Sequence, residues 1–125
     1  MKLSILVIDD DDAVRRSFQL ALEDTDCKVV LVDSGEKGIQ EETQNKFDLI
    51  FLDLKMPGLN GVETLKRLRK LDSVVPVYIV TAFHKEFMSE LNEAVKEGLR
   101  FELISKPAGA HEIVSITNRV LVKQG

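Results

Sequence analysis

Five polar residues in this sequence stand where chemistry can be done. Asp9 and Asp10, Asp53, Thr81 and Lys106 each close a short apolar run. If the runs they follow are neighbouring strands of one sheet, three carboxylates, a hydroxyl and an ammonium converge on one edge. Two unit charges about 4 Å apart repel by roughly 4 kcal/mol at an effective dielectric near 20, so such a cluster needs more counter-charge than one lysine. With no His or Cys beside these positions, an all-oxygen donor set favours a hard divalent cation, Mg²⁺ rather than zinc. Mg²⁺ beside a lone carboxylate, with a lysine and a hydroxyl opposite, suits phosphoryl chemistry. The metal and Lys106 would neutralise phosphoryl oxygens while Asp53 attacks phosphorus to give an acyl phosphate.

The elements that must position these groups follow from hydropathy. Five apolar runs, 3–8, 29–32, 49–52, 77–80 and 101–104, are too short for helices, and most of them are rich in β-branched residues. Between and after them lie segments with helical spacing: Val14, Phe18, Ala21 and Leu22; Val62, Leu65 and Leu68; Ile113, Ile116 and Val120. In the stretch 85–97, Leu91, Ala94 and Val95 are expected to face the core, with a solvated Glu/Lys face opposite. Asp12, Ser34 and Asn60 can start helices by capping orphan amides, and Gly98 sits where a helix should stop. Asp11 and Asp12 are equally well explained as helix-capping charge. Strand and helix alternate five times, which predicts a parallel sheet with helices on both faces. Ligands of such sheets bind beyond the carboxyl ends of the strands, where the five polar residues lie.

Composition excludes several classes. The 125 residues are enough for one domain, with 44% hydrophobic and 30% charged residues. A net charge of −4 offers no global basic field, so direct nucleic-acid binding is not expected. The single cysteine, Cys27, excludes an internal disulfide framework and a Cys-rich zinc site. The longest nearly unbroken apolar stretch, 74–80, is seven residues and contains Pro76, so membrane insertion is not expected. No small-residue cleavage site follows the first residues, and a cytoplasmic location is the expectation. His84 and His111 read as solvated helix-start residues.

The motifs carry a resemblance. Asp9-Asp10 after the first strand, Asp53-Leu54-Lys55-Met56-Pro57-Gly58 with Asn60-Gly61, Thr81-Ala82 after the fourth and Lys106-Pro107 after the fifth occur in order over essentially the whole chain. They resemble the CheY-like receiver domain of two-component response regulators. The resemblance implies an α/β (βα)5 fold: a doubly wound, five-stranded parallel sheet of flavodoxin-like order 2-1-3-4-5. It implies that Asp53 is the phosphorylation site, working with Thr81 and Lys106, each of which would hold a phosphoryl oxygen. It implies a Mg²⁺ site made by Asp10, by Asp9 directly or through water, by Asp53 and by the Lys55 backbone carbonyl. Pro107 would follow a cis peptide bond that aims Lys106 inward, and Met56-Pro57-Gly58 would form the turn beside the metal.

The resemblance also implies partners: a sensor histidine kinase or histidine phosphotransfer protein as donor, and a downstream protein that the residues do not name. Donor recognition would fall on Arg15, Arg16, Phe18 and Gln19 of the first helix, near Ala108-Gly109. Residues 1–125 read as one receiver with no output domain, either complete or as the N-terminal receiver of a longer regulator.

Three features depart from the family pattern. The usual aromatic switch three residues before the strand-five lysine is Leu103 here; Phe101, two residues earlier, is the substitute candidate in a segment one residue longer than usual. Lys106-Pro107 continues into Ala108-Gly109 rather than into a phenylalanine. Lys55 and Phe83, each two residues beyond a site residue, would lie over the phosphoryl group and obstruct attacking water. Slow hydrolysis follows, as suits a phosphorelay intermediate or a long-lived signal. The expected role is a signalling phosphoacceptor and not an enzyme acting on a separate substrate. An aspartyl phosphatase would want an acid where Lys55 stands, and no G-x-G-x-x-G or P-loop follows any strand. The alternative is a degenerate receiver that works as an unphosphorylated interaction module.

Overall fold

A computed structural model of the chain describes residues 2–82 and 85–124. Phe83 and His84 lie outside the described residues. The strands are β1 (Leu3–Ile8), β2 (Cys27–Val32), β3 (Leu49–Asp53), β4 (Val77–Thr81) and β5 (Glu102–Ser105). The helices are α1 (Asp12–Leu22), α2 (Gly35–Gln44), α3 (Gly61–Leu71), α4 (Met88–Lys96) and α5 (Ala110–Gln124), with a 3-10 turn at Lys85–Phe87 before α4. All strand pairs are parallel, in the order β2-β1-β3-β4-β5. The expected α/β architecture and strand order are therefore observed.

Alternation along each strand splits the core into two layers. Leu6, Ile8, Ile50, Leu52, Val77 and Ile79 join the layer that includes Val62, Leu65 and Leu68 of α3 and Leu91 and Ala94 of α4. Ile5, Val7, Leu49, Phe51 and Val80 join Phe18 and Leu22 of α1 and Ile113, Ile116 and Val120 of α5. β3 is buried along its whole length, as a central strand covered on both faces must be. β5 is an edge strand, and Leu103 on it is 48% exposed.

The helix ends follow the expected chemistry, with one correction. Asp11 rather than Asp12 caps α1: its backbone is extended, and its carboxylate accepts from the amides of Ala13 and Val14. Asp12 is the first helical residue and pairs with Arg15. Ser34 caps α2, and Asn60 forms a reciprocal capping box with Glu63 on α3. Gly98, at φ +82, ends α4 with Gly98 N–H to Val95 O and Leu99 N–H to Ala94 O, both 3.0 Å. Val95 is 61% exposed, contrary to expectation. The inward stripe of α4 runs through Phe87, Leu91 and Ala94, which leaves Val95 on its flank.

One buried group has no counterpart in the sequence pattern. Glu42 of α2 is 7% exposed, and its Oε2 has no hydrogen-bond partner among the described residues. Burial pushes its carboxyl up to about 7; Asp72 adds to the shift and Lys46 opposes it. The folded chain thus keeps a proton that the unfolded chain, near 4.5, has released. Stability falls as pH rises from about 4.5 through 7 on this account. Glu42→Gln should therefore melt roughly 3–6 °C above the wild type near pH 8, with the gap closing towards pH 4.5. Melting curves of both proteins across that range test this, and a gap independent of pH would contradict it.

Candidate functional site

β1 pairs with β3, β3 with β4, and β4 with β5, so the residues ending these strands meet at one edge. The alternation that builds the layers also selects the side chains. Asp9 continues the series Ile5, Val7; Asp53 continues Leu49, Phe51; Lys106 lies two beyond Ile104. All three continue series facing α1 and α5, and they meet there. Lys106 Nζ stands 3.0 Å from Asp9 Oδ2 and 3.0 Å from Asp53 Oδ1. Asp10 completes the cluster: one carboxylate oxygen from each of Asp9, Asp10 and Asp53 lies within 4.8 Å of the others.

Backbone contacts hold these groups rigidly. Asp9 Oδ1 accepts from the Asp11 amide at 2.9 Å, and Asp53 Oδ1 accepts from the Leu54 amide at 2.9 Å. The Lys106 amide donates to the Thr81 carbonyl at 2.8 Å, one step past the Thr81–Ser105 pairing, which locks the hydroxyl and the ammonium in register. Gly61 N–H donates to Leu54 O at 2.7 Å, and a Cβ at position 61 would stand 2.4 Å from Asp53 O. Only glycine lets α3 start this close to the end of β3. Gly58, at φ +75, turns the same loop. The Lys106–Pro107 peptide bond is cis.

Asp9 and Asp53 are buried, at 2% and 5% exposure, whereas Asp10 is exposed. Burial pushes the Asp53 carboxyl up to about 7, with Asp9 and Asp10 adding to the shift and Lys106 opposing it. Burial works against the charge on Lys106, but Asp9 and Asp53 outweigh it and hold the ammonium above the ordinary lysine value. Three carboxylates against one ammonium leave negative charge uncompensated in a partly dry pocket. An oxygen-only donor set with that deficit fits a small hard divalent cation. The carboxylates of Asp9, Asp10 and Asp53 are the residues that could hold it, and the exposed Lys55 sits on the same loop.

The remaining expected residues are placed as follows. Thr81 is 8% exposed at the end of β4. Lys55 Nζ pairs with Glu86 Oε1 at 3.3 Å. Phe101 lies just before β5 and packs against the layer under α4, apart from the carboxylates, while Leu103 stands on β5 opposite Ile79. Pro107 is exposed and Ala108 half-buried. They meet Val14, Ser17, Phe18, Val80 and Lys106 around a cleft of about 110 Å³ between α1 and the β5–α5 loop. Arg16 and Gln19 are exposed on α1 and are not among the residues lining that cleft. Phe18 is buried instead, at 2% exposure: the same spacing that links it to Val14 and Leu22 turns it into the core and onto Phe51, with ring centroids 4.9 Å apart. Arg15 was expected on the surface too, yet it turns inward and donates from Nη1 to Asp9 O at 2.7 Å. Its position one turn after the acidic run was the available signal for that role.

Comparison with known proteins agrees with this geometry. Residues 5–118 match the response regulator receiver domain. The chain is 34% identical over 110 residues to the KDP operon transcriptional regulatory protein KdpE of Escherichia coli, covering 88% of this chain and 47% of that one. It is 34% identical over 87 residues to the alkaline phosphatase synthesis transcriptional regulatory protein PhoP of Bacillus subtilis, covering 70% of this chain and 36% of that one. The chain thus spans less than half the length of these curated relatives. Among solved structures, a CheY-like receiver domain protein from Methanospirillum hungatei superposes with a TM-score of 0.86 at 23% identity, covering all of both chains. Chemotaxis protein CheY4 of Vibrio cholerae superposes with a TM-score of 0.82 at 21% identity, covering 96% of this chain and 99% of that one. The chain belongs to the response regulator receiver domain family.

Proposed function

We propose that this domain takes a phosphoryl group onto Asp53 from a phosphohistidine of a partner kinase or phosphotransfer protein, and thereby switches its protein contacts. The observation that carries this reading is Lys106 placed 3.0 Å from both Asp9 and Asp53 inside a three-carboxylate cluster. A carboxylate oxygen of Asp53 attacks phosphorus; the P–N bond breaks, and the histidine nitrogen leaves with the electron pair. Lys106 exchanges part of its contact with Asp53 for a phosphoryl oxygen, and the Thr81 hydroxyl donates to another. Asp9, Asp10, Asp53 and the Lys55 carbonyl would hold Mg²⁺, which when bound neutralises phosphoryl charge. The new dianion draws Thr81 and the loop after it inward, which shifts the balance between two surfaces. Arg16 and Gln19, exposed on α1, belong to the donor-facing side in this reading. The reading places the domain in the cytoplasm as a signalling phosphoacceptor with slow self-hydrolysis. The relatives' names point to a regulator of transcription as the larger setting.

Intact mass after incubation with acetyl phosphate and Mg²⁺ tests the reading. The wild type should gain about 80 Da, the mass of one phosphoryl group, and Asp53→Ala should gain nothing. An unmodified wild type, with acetyl phosphate and with a phosphorylated kinase alike, would favour the unphosphorylated interaction module.

Mg²⁺ should also stabilise the unmodified domain, with a defined pH trend. Without metal, the folded chain keeps the Asp53 proton up to about 7, whereas the unfolded chain releases it near 3.8. Metal-free stability therefore falls as pH rises across that window, and Mg²⁺ must displace the proton to bind. The rise in melting temperature on adding Mg²⁺ should grow between about pH 5.5 and 8 and shrink in Asp10→Asn. A rise that is flat with pH, or unchanged in the variant, would place the ion elsewhere.

A further inference from the structure

Lys55 leaves β3 two residues beyond Asp53. Its neighbours Leu54 and Met56 are buried in the layer under α3 and α4, so the Lys55 side chain is turned away from that layer. It is 59% exposed, and its Nζ stands 3.3 Å from Oε1 of Glu86, which is 58% exposed. Glu86 belongs to the 3-10 turn that follows the loop after Thr81. The ion pair thus ties the loop after Asp53 to the turn after Thr81. Three further polar links join α3 to α4 and its exit: Asn60 Nδ2 to Glu90 Oε2 at 3.4 Å, Lys66 to Glu97 at 3.4 Å, and Arg69 Nε to Arg100 O at 3.1 Å. Of these four links, the Lys55–Glu86 pair alone uses a residue two positions from Asp53.

Taking Asp53 as the phosphoacceptor, we propose that Glu86 is a positioning residue that competes with the aspartyl phosphate for Lys55 and so sets the lifetime of the acyl phosphate. In the unmodified domain Glu86 holds the ammonium. Phosphorylation puts close to two negative charges near the base of the same side chain, so Lys55 has two anionic partners to divide itself between. Hydrolysis forms a bond from a water oxygen to phosphorus. The bond from phosphorus to the Asp53 oxygen breaks with its electron pair, releasing phosphate and restoring the carboxylate. A Lys55 side chain drawn onto the phosphoryl oxygens obstructs that water's approach; one held by Glu86 leaves it clear. An exposed ion pair shifts such a balance by roughly 1.4- to 5-fold, which sets the size of the effect.

Acyl-phosphate decay, followed by intact mass after removal of the phosphodonor, tests this. Glu86→Gln should decay about 2- to 4-fold more slowly than the wild type, and Glu86→Asp should return the rate towards the wild-type value. Lys55→Met should decay faster than the wild type, and adding Glu86→Gln to it should change nothing further. Decay of Glu86→Gln that matches or exceeds the wild-type rate overturns the proposal, as does the same slowing in the Lys55→Met background. The two readings fail differently. A wild-type chain that never gains the phosphoryl mass removes the phosphoacceptor reading and this proposal together, whereas normal phosphorylation with Glu86-independent decay removes this proposal alone.

Discussion

The ammonium of Lys106 between Asp9 and Asp53 is the constraint on which the rest of the structure depends. Two buried carboxyl groups facing each other need a shared proton or a cation between them, and here the cation arrives from a different strand at the right height. The observed sheet order meets that requirement, because β1, β3, β4 and β5 lie side by side. The register is held as well, because the Lys106 amide is bound to the Thr81 carbonyl and cannot slip without moving the ammonium. The uncompensated negative charge that remains is of the kind a small hard divalent cation could offset.

The approach of α3 is the second structural requirement. With no side chain at Gly61, the first turn of α3 rests against Asp53 O and Leu54 Cα. The capping box of Asn60 and Glu63 then fixes where the helix begins. Beyond that point α3 and α4 are joined by an apolar base, including Leu65, Leu68, Leu91 and Ala94, and by a polar seam above it. Apolar packing depends little on nearby charge, whereas the ion pair and hydrogen bond of the seam are electrostatic. Helix α4 is therefore held by two kinds of contact with different sensitivity to charge.

Much of this was legible in the chain. Fully buried strands read as unbroken apolar runs, and the first carboxylate after such a run marks its end, as Asp9 and Asp53 do. The positive-φ glycine at 98 was readable as a helix stop because few other residues serve there, whereas Gly61 stood in the sequence only as part of the motif and its close approach to Asp53 O is tertiary. What escaped the sequence depends on tertiary neighbours. Glu42 looks like one more solvent-facing glutamate on a polar helix, and nothing local says that this face packs inward with Gly35 and Gly38. Glu86 looks like part of a charged helix face, and its partner is thirty-one residues away in the chain. Phe18 carried two incompatible readings, and helical spacing was the better guide. Arg15 was misplaced because a long side chain can turn back towards the turn before it.

The division of the core into two layers has a consequence at the carboxyl rim. The residues that bear charge, Asp9, Asp53 and Lys106, continue the strand positions facing α1 and α5, whereas Thr81 continues Val77 and Ile79 in the other layer. The sheet thus separates the layer whose series end in the carboxylates and the ammonium from the layer whose series ends in the Thr81 hydroxyl. The two layers come together at the carboxyl rim, where the ends of β1, β3, β4 and β5 lie side by side, so a change in charge there borders both layers at once.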